Sequence, residues 1–177
     1  MIEYTALITG GSKGIGADLA QQLLEKGYKV ISLARYAPDW RHDNFENIEV
    51  DLLKSDDVAA VSADVAARHQ VTHLVLNAGL IWPKLVEEAR PEDIAGLSQL
   101  HLGSALTLLQ GCLPAMNERG FGRVMFNASR AALGAPTRTA YSATKAGMIG
   151  MVRAWALELA GHGITVNVVA PGPILTR

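Results

Sequence analysis

Short apolar segments rich in β-branched residues alternate with segments of helical hydrophobic spacing along the whole chain. The first pair shows the pattern. The apolar run 4–9 precedes residues 14–27, where Ile15, Leu19 and Leu23 recur at helical spacing and Gly27 ends the segment. Strands joined through helical crossovers lie parallel in one sheet. The alternation therefore predicts a parallel α/β sheet and leaves little room for an all-β or all-α fold.

Six strands and four helical segments are predicted in this way. The strands are expected at residues 4–9, 28–34, 48–51, 71–79, 122–129 and 163–172. The helices are expected at residues 14–27, 55–69 (with Ser55 as N-cap), 91–118 and 140–160. Strands such as HLVLN are apolar at nearly every position, which is typical of a sheet covered on both faces. The expected fold class is α/β, a doubly wound Rossmann-type parallel sheet with helices on both faces.

Composition limits the functions that this fold could serve. The 177 residues suit one domain. The formal net charge of -1 does not favour electrostatic binding to nucleic acid or to an anionic membrane. The single cysteine, Cys112, excludes an internal disulfide and predicts a cytoplasmic location. No apolar run is long enough for a membrane span. No metal site is predicted, because His69 and His73 do not share a helical face.

The first predicted strand ends in TGGSKGIG, residues 9–16. Gly10, Gly14 and Gly16 allow a tight turn and a close approach of backbone to a diphosphate, and the next helix presents free N–H groups there. A glycine-rich turn without a ligand is the alternative. Because the turn follows a strand and opens a helix, we interpret it as a dinucleotide-binding loop.

Five motifs in chain order resemble those of the short-chain dehydrogenase/reductase family. They are the glycine pattern G-x-x-x-G-x-G at 10–16, Asp51 after the third strand, N-A-G at 77–79, Y-x-x-x-K at 141–145 and P-G at 171–172. The resemblance covers essentially the whole chain. It implies an oxidoreductase that uses a nicotinamide dinucleotide.

The pair in Y-x-x-x-K has a physical meaning of its own. Residues four apart share a helix face, so Tyr141 and Lys145 can both face one cleft. An ammonium close to a phenol favours the phenolate and suits the tyrosine to acid–base catalysis. The resemblance implies that Tyr141 is the acid–base residue and that Lys145 also holds the nicotinamide ribose. The alternative is a surface tyrosine above a salt-bridging lysine.

Ser129 follows the fifth strand, twelve positions before Tyr141. A hydroxyl there could hold a substrate oxygen against the tyrosine. The family serine aligns with Ala128, and we interpret the offset as a one-residue deletion in the intervening loop, which keeps Ser129 as the candidate. A capping serine is the alternative.

A fourth catalytic residue of the family, an asparagine that helps to hold a water near the lysine, aligns with His101. A histidine could also hold water and exchange protons near neutral pH. A histidine hydrogen-bonded in the core between helices is the alternative.

The expected cofactor is NADP(H), with NAD(H) left open. Ala34, at the end of the second predicted strand, occupies the usual position of the acidic residue that would bind the ribose 2′-hydroxyl, and Arg35 and Lys13 supply positive charge for a 2′-phosphate. The resemblance implies a larger set of cofactor-binding residues. They are Gly10, Ser12, Lys13, Gly14, Ile15, Gly16, Arg35, Asp51, Leu52, Asn77, Ala78, Gly79, Tyr141, Lys145, Pro171, Gly172, Ile174 and Thr176.

The predicted activity is hydride transfer between a nicotinamide and a small carbonyl or alcohol substrate. The resemblance implies a homodimer or homotetramer, with no nucleic-acid or membrane partner. A nucleotide-binding protein without turnover and an epimerase or dehydratase on the same fold are the alternatives. Relatives usually continue beyond the position of Arg177 through a lid and a seventh strand, and we expect these to be missing from this sequence.

Overall fold

The computed structural model describes residues 3–174. The strands are β1 (Thr5–Thr9), β2 (Lys29–Ala34), β3 (Phe45–Glu49), β4 (His73–Leu76), β5 (Gly122–Asn127) and β6 (Ile164–Val169). The α-helices are α1 (Gly14–Glu25), α2 (Ser55–Arg68), α3 (Pro91–Ser98), α4 (Ser104–Arg119) and α5 (Thr139–Leu159). A π-helical turn, Gln99–Gly103, joins α3 to α4, and two 3₁₀ turns lie at Arg130–Leu133 and Ala160–His162.

All six strands are parallel, in the order β3-β2-β1-β4-β5-β6. Leu7 in β1 has Ile31 of β2 on one side and Leu74 of β4 on the other. The chain reverses its direction of travel across the sheet between β1 and β4, which is the switch point where such sheets bind ligands. The predicted doubly wound α/β fold is confirmed.

The two faces of the sheet carry unequal cores. One face, with buried Leu7, Leu74 and Phe126, packs against α2, α4 and α5. The other face has a small cluster in which Ala20 and Leu24 of α1 cover the centre of the sheet. Helices therefore lie on both faces, and α5 brings its catalytic candidates to the larger core.

Local details differ from the sequence predictions. Strand β4 covers only His73–Leu76 where 71–79 was expected, and β6 ends at Val169 where residue 172 was expected. Strand β3 begins at Phe45, three residues before the expected 48–51 segment, and its register pairs Phe45 with Val30. Its edge position leaves the side chains half exposed, so the segment looks like a polar loop. Ser55 is the first residue of α2 and not its N-cap, which is Lys54. The helix expected over 91–118 is interrupted by the π-helical turn.

Between residues 3 and 174, no helix is both long enough and apolar enough to cross a membrane.

Candidate active site

The glycine turn between β1 and α1 adopts a backbone that other residues rarely take. Gly10 has φ 71° and Gly14 has φ 54°, both in the left-handed region. A Cβ on Gly16 would collide with the carbonyl oxygen of Gly10. No side chain caps the start of α1, so its first N–H groups stay available to an anion.

A hydrogen-bond network ties this turn to β4 and β5. The amides of Asn77 and Ala78 donate to Thr9 Oγ1 at 2.9 and 3.0 Å. The Asn77 Nδ2 group donates to the carbonyl oxygens of Thr9 and Gly10 at 3.2 and 3.3 Å. Asn127, at the end of β5, donates from Nδ2 to Asn77 Oδ1 at 2.8 Å. Asn77 thus connects the glycine turn to β5. We call the hydrogen bonds that Asn77 forms with Thr9, Gly10 and Asn127 the Asn77 joint.

A cleft of about 310 Å³ opens at the carboxyl ends of the strands, beside this joint. It brings together half of the predicted cofactor-binding residues. These are Gly10, Ser12, Lys13, Arg35, Asp51, Leu52, Asn77, Ala78 and Gly79. A second cleft shares Ser12 and Lys13 and adds Gly14, Ile15 and Ile174.

Of the other predicted cofactor residues, the five that the structure describes line neither cleft: Gly16, Tyr141, Lys145, Pro171 and Gly172. Gly16 is buried behind the turn, and Pro171 and Gly172 follow β6. Pro171 accepts a hydrogen bond from the Arg130 amide through its carbonyl oxygen, at 3.0 Å. Thr176 lies outside the described residues.

Two cationic side chains lie near the same aromatic ring at the rim of the first cleft. Lys13 Nζ and Arg35 Cζ each lie 5.8 Å from the centre of the Tyr36 ring. Tyr36, which the sequence analysis missed, is exposed and lines the cleft with them. On the opposite wall, Asp51 Oδ1 accepts a hydrogen bond from the Leu53 amide at 3.1 Å. The rim therefore offers an aromatic face and two positive charges to a nucleotide.

Tyr141 and Lys145 lie one turn apart on α5, and Lys145 Nζ is 5.5 Å from the centre of the Tyr141 ring. The lysine is only 2% exposed, and its ammonium donates to the Asn127 carbonyl oxygen at 2.7 Å. Burial lowers the pKa of Lys145 to about 8. A Cβ built on Gly79 would lie 3.7 Å from Lys145 Nζ. The Lys145 ammonium therefore lies behind Gly79 in the wall of the first cleft, and the half-buried Tyr141 beside it is not part of a surface salt bridge.

Ser129 lies two residues beyond β5 and caps the 3₁₀ turn Arg130–Leu133. Its Oγ accepts a hydrogen bond from the Ala131 amide at 3.1 Å, so the capping interpretation is realised. The hydroxyl proton is not used by that bond and stays available for donation. Ser129 can thus cap the turn and also hydrogen-bond a ligand.

His101 sits in the π-helical turn with 2% exposure. Its ring lies edge-on to Tyr141, with centroids 5.8 Å apart, and Nδ1 is 2.8 Å from Thr144 Oγ1. Burial, with the nearby Lys145 charge, lowers the pKa of His101 to about 3. Its burial and lowered pKa favour the alternative, a histidine hydrogen-bonded in the core between helices. Thr144 and Asn127, which hold the site together, carry no motif and were missed.

The family model described as short chain dehydrogenase matches residues 4–177. The chain belongs to the short-chain dehydrogenase family. Two similar proteins are D-beta-hydroxybutyrate dehydrogenase from Rhizobium meliloti, 32% identical, and a 3-oxoacyl-acyl-carrier-protein reductase from Vibrio cholerae, 33% identical. Each alignment covers 97% of this chain, with 72% of the first relative and 73% of the second. The prediction of an oxidoreductase of this family is confirmed.

A solved short-chain dehydrogenase fold shows the same architecture with a nucleotide. A candidate NAD(P)-dependent gluconate 5-dehydrogenase from Beutenbergia cavernae, solved with NADP at low occupancy, is 30% identical to this chain and superposes with a TM-score of 0.88. The match covers 98% of this chain and 74% of that one.

Among residues 3–174, no three His, Cys, Asp or Glu side chains gather in an arrangement suited to a metal ion.

Proposed function

We propose that this short-chain dehydrogenase transfers a hydride between NADP(H) and a carbonyl or alcohol substrate, with Tyr141 as its acid–base residue. The observation that carries the proposal is the buried ammonium of Lys145, which lies beside the Tyr141 ring and behind Gly79 of the cleft. A buried charge is costly unless the site uses it or pairs it. Here its one described hydrogen bond goes to a carbonyl oxygen, which leaves its positive charge uncompensated.

The residues fit a nicotinamide dinucleotide on structural grounds. The turn around Gly16 leaves no room for a side chain, and the free start of α1 suits a diphosphate. When bound, the reduced cofactor supplies the hydride for the substrate carbon. In that direction the Tyr141 phenol gives its proton to the carbonyl oxygen, and Lys145 stabilises the phenolate that remains. Ser129 donates a hydrogen bond to the same oxygen and orients it.

The preference for NADP(H) over NAD(H) rests on charge. The usual acidic position is taken by Ala34, the last residue of β2, which is buried and has no carboxylate for a ribose hydroxyl. Arg35 and Lys13 converge on Tyr36 at the cleft rim, where a 2′-phosphate would gain charge-assisted hydrogen bonds. His101 is assigned a positioning role and not a proton-exchange role, because it stays neutral near pH 7.

The test compares Tyr141→Phe with the wild type and with Tyr28→Phe. Tyr28 stacks on Tyr4 before β2, at the end of the sheet opposite the clefts, and provides the matched control. NADPH binding is measured by fluorescence, and turnover by nicotinamide absorbance on a carbonyl panel. Because the relatives act on 3-hydroxy and 3-oxo acids by their names, the panel includes acetoacetate and a 3-oxoacyl thioester.

We expect Tyr141→Phe to bind NADPH as the wild type does and to lose about 10²- to 10⁴-fold in turnover, the usual share of general acid–base catalysis. Tyr28→Phe should keep its turnover. NADPH binding without turnover on any carbonyl, unchanged by Tyr141→Phe, would instead support the nucleotide-binding alternative. That alternative is favoured by one feature, the histidine at position 101.

Three broader predictions stay proposals. Residues 1–177 form one dinucleotide-binding domain that also carries the catalytic site, the protein is a homodimer or homotetramer, and it resides in the cytoplasm. The single six-stranded sheet supports the first of these. Light scattering of the purified chain would measure the mass of the assembly, and a monomer would contradict the second.

A further inference from the structure

Thr144 lies on α5 directly before Lys145 and is 2% exposed. Its hydroxyl donates to the carbonyl oxygen of Tyr141 at 3.0 Å, and its Oγ1 is 2.8 Å from His101 Nδ1. A hydroxyl has one proton, and a carbonyl oxygen can only accept. Both contacts are satisfied together only when the Nδ1 atom of His101 carries the imidazole proton and donates it to Thr144.

The other ring nitrogen of His101, Nε2, is then a bare acceptor. It is buried and has no hydrogen-bond partner among the described residues. A Cβ built on Gly79 would lie 3.2 Å from this Nε2 and 3.7 Å from Lys145 Nζ. Both nitrogens therefore face the same small space beside the Gly79 Cα, and glycine keeps that space open.

The positive charge of Lys145 beside this space favours a hydrogen-bond acceptor at His101 Nε2 over a donor. Among residues 3–174, the titratable groups found beside His101 are the Lys145 ammonium and the Tyr141 phenol, both from α5, and the loop after β4 brings Gly79 against the ring. With the proton on Nε2, an N–H would point toward the ammonium and Nδ1 would compete for the single Thr144 proton. With the proton on Nδ1, the Nε2 lone pair faces the positive charge.

We propose that Thr144 is a positioning residue that fixes His101 in its Nδ1–H tautomer, so that Nε2 presents a hydrogen-bond acceptor to the space shared with Lys145. The effect on catalysis rests on the proposed function. An acceptor at that space favours the charged form of Lys145 and opposes the burial that disfavours it. His101 acts through Lys145 in this arrangement, and the imidazole neither gains nor loses a proton during turnover.

The tautomer can be read directly in the whole chain by ¹⁵N NMR of protein labelled at the histidine ring nitrogens, without any substrate. The two nitrogens of a neutral imidazole differ widely in shift, so the protonated one is identified. We expect wild type and Thr144→Ser, which keeps the hydroxyl, to show Nδ1–H. Thr144→Val, which keeps the shape, should move signal toward Nε2–H. A wild type in the Nε2–H form, or a Thr144→Val spectrum identical to wild type, overturns the inference.

A kinetic arm separates positioning from general structure. Thr144→Val should lower kcat about three- to tenfold, the worth of one hydrogen bond, at unchanged KM for NADPH, with recovery in Thr144→Ser. The falling limb of its pH–rate profile should move to lower pH. A lower melting temperature with unchanged kcat and pH profile contradicts the proposal. If the wild type has no turnover, the proposed function fails, and the NMR result still decides the tautomer. If Thr144→Val does not fold, the wild-type and Thr144→Ser spectra decide it.

Discussion

At the scale of single residues, burial sets the charge of the two groups nearest to Tyr141. Near pH 7 His101 is neutral, and Lys145 is charged with a pKa only about one unit higher, because both side chains are buried in the same enclosed space. Desolvation disfavours the charged form of a basic group, so burial lowers the pKa of both the imidazole and the ammonium. The site therefore has a pH dependence that can be worked out from these two residues.

The first prediction concerns acid stability. The pKa of His101 is 6.5 in the unfolded chain and about 3 in the folded one, so between these values the unfolded chain binds more protons. Stability is then lost as pH falls through that window. From about pH 7.5 to about pH 5 this residue alone should lower the free energy of unfolding by about 2 kcal/mol.

Urea denaturation at both pH values measures this difference. His101→Asn should lose about 2 kcal/mol less than the wild type between the two, whereas His162→Asn, at an exposed histidine, should match the wild type. Equal losses in His101→Asn and wild type would show that the imidazole is charged in the folded protein.

A second prediction concerns turnover at alkaline pH. With the pKa of Lys145 lowered to about 8, its positive charge disappears as pH rises through that value, and the rate of carbonyl reduction should fall with it. Lys145→Arg keeps its charge at every accessible pH. The pH profile of kcat/KM should therefore show a falling limb near pH 8 in the wild type and none in the arginine variant, whose rate is lower throughout. A limb shared by both would assign the titration elsewhere.

Arg35 gives a third prediction at this scale. Arg35→Ala removes one of the two cations beside Tyr36, so the Kd for NADPH should rise about 10- to 100-fold, the worth of a charge-assisted hydrogen bond. The Kd for NADH should stay nearly constant. Fluorescence titration of both cofactors measures the ratio, and equal losses for both would mean that Arg35 contacts the shared part of the cofactor.

At the scale of elements, the turn from β1 to α1 depends on the absence of one side chain. In Gly16→Ala the new Cβ would press on the Gly10 carbonyl and lie 2.7 Å from Asn77 Nδ2, so the turn or the Asn77 joint must shift. We expect a loss of about 1–3 kcal/mol in stability, as for other overpacked sites, together with weaker NADPH binding.

Gly150→Ala is the matched control for this change. Gly150 lies inside α5, and a Cβ there meets nothing within 4 Å. It should raise the free energy of unfolding by about 0.5–1 kcal/mol and leave NADPH binding unchanged. Urea denaturation and NADPH titration of both variants check the pair. A stable Gly16→Ala that binds NADPH normally would show that the turn has room to adjust.

The same scale shows what a sequence can reveal. The apolar runs predict β1, β2, β4, β5 and β6 because these strands are covered on both faces or on their inner one. The start of β3 is predicted three residues too late, because its edge position leaves the strand half exposed. The hydrophobic pattern does not predict the π-helical turn, because one wider turn inside an apolar helix barely changes the hydrophobic period. Motifs point to Tyr141 and Lys145, whereas the contact between Thr144 and His101 joins residues 43 positions apart and belongs to no motif.

At the scale of the whole molecule, the cofactor should stabilise the fold by closing the switch point between β1 and β4. A ligand at 100 times its Kd adds about 2.7 kcal/mol to the free energy of unfolding. Thermal denaturation with and without NADPH should show a higher melting temperature, and hydrogen exchange should slow at the glycine turn and at the end of β4. An unchanged melting temperature with saturating NADPH and NADH would contradict a dinucleotide site.

The Asn77 joint also limits how such a protein could be recombined with its relatives. The Asn77 amide side chain bonds to Thr9 and Gly10 on one side and to Asn127 on the other, so one side chain links the nucleotide turn to the strand whose carbonyl group holds Lys145. Consider a chimera that takes β1 to β3 from one relative and β4 to β6 from another. Each half would carry its own strands and helices, but the hydrogen bonds of Asn77 with Thr9 and Gly10 would cross the boundary between the halves. We expect the glycine turn to keep its position in such a chimera when Thr9, Asn77 and Asn127 are all retained, because Asn77 bonds to Thr9 across that boundary and to Asn127 within its own half.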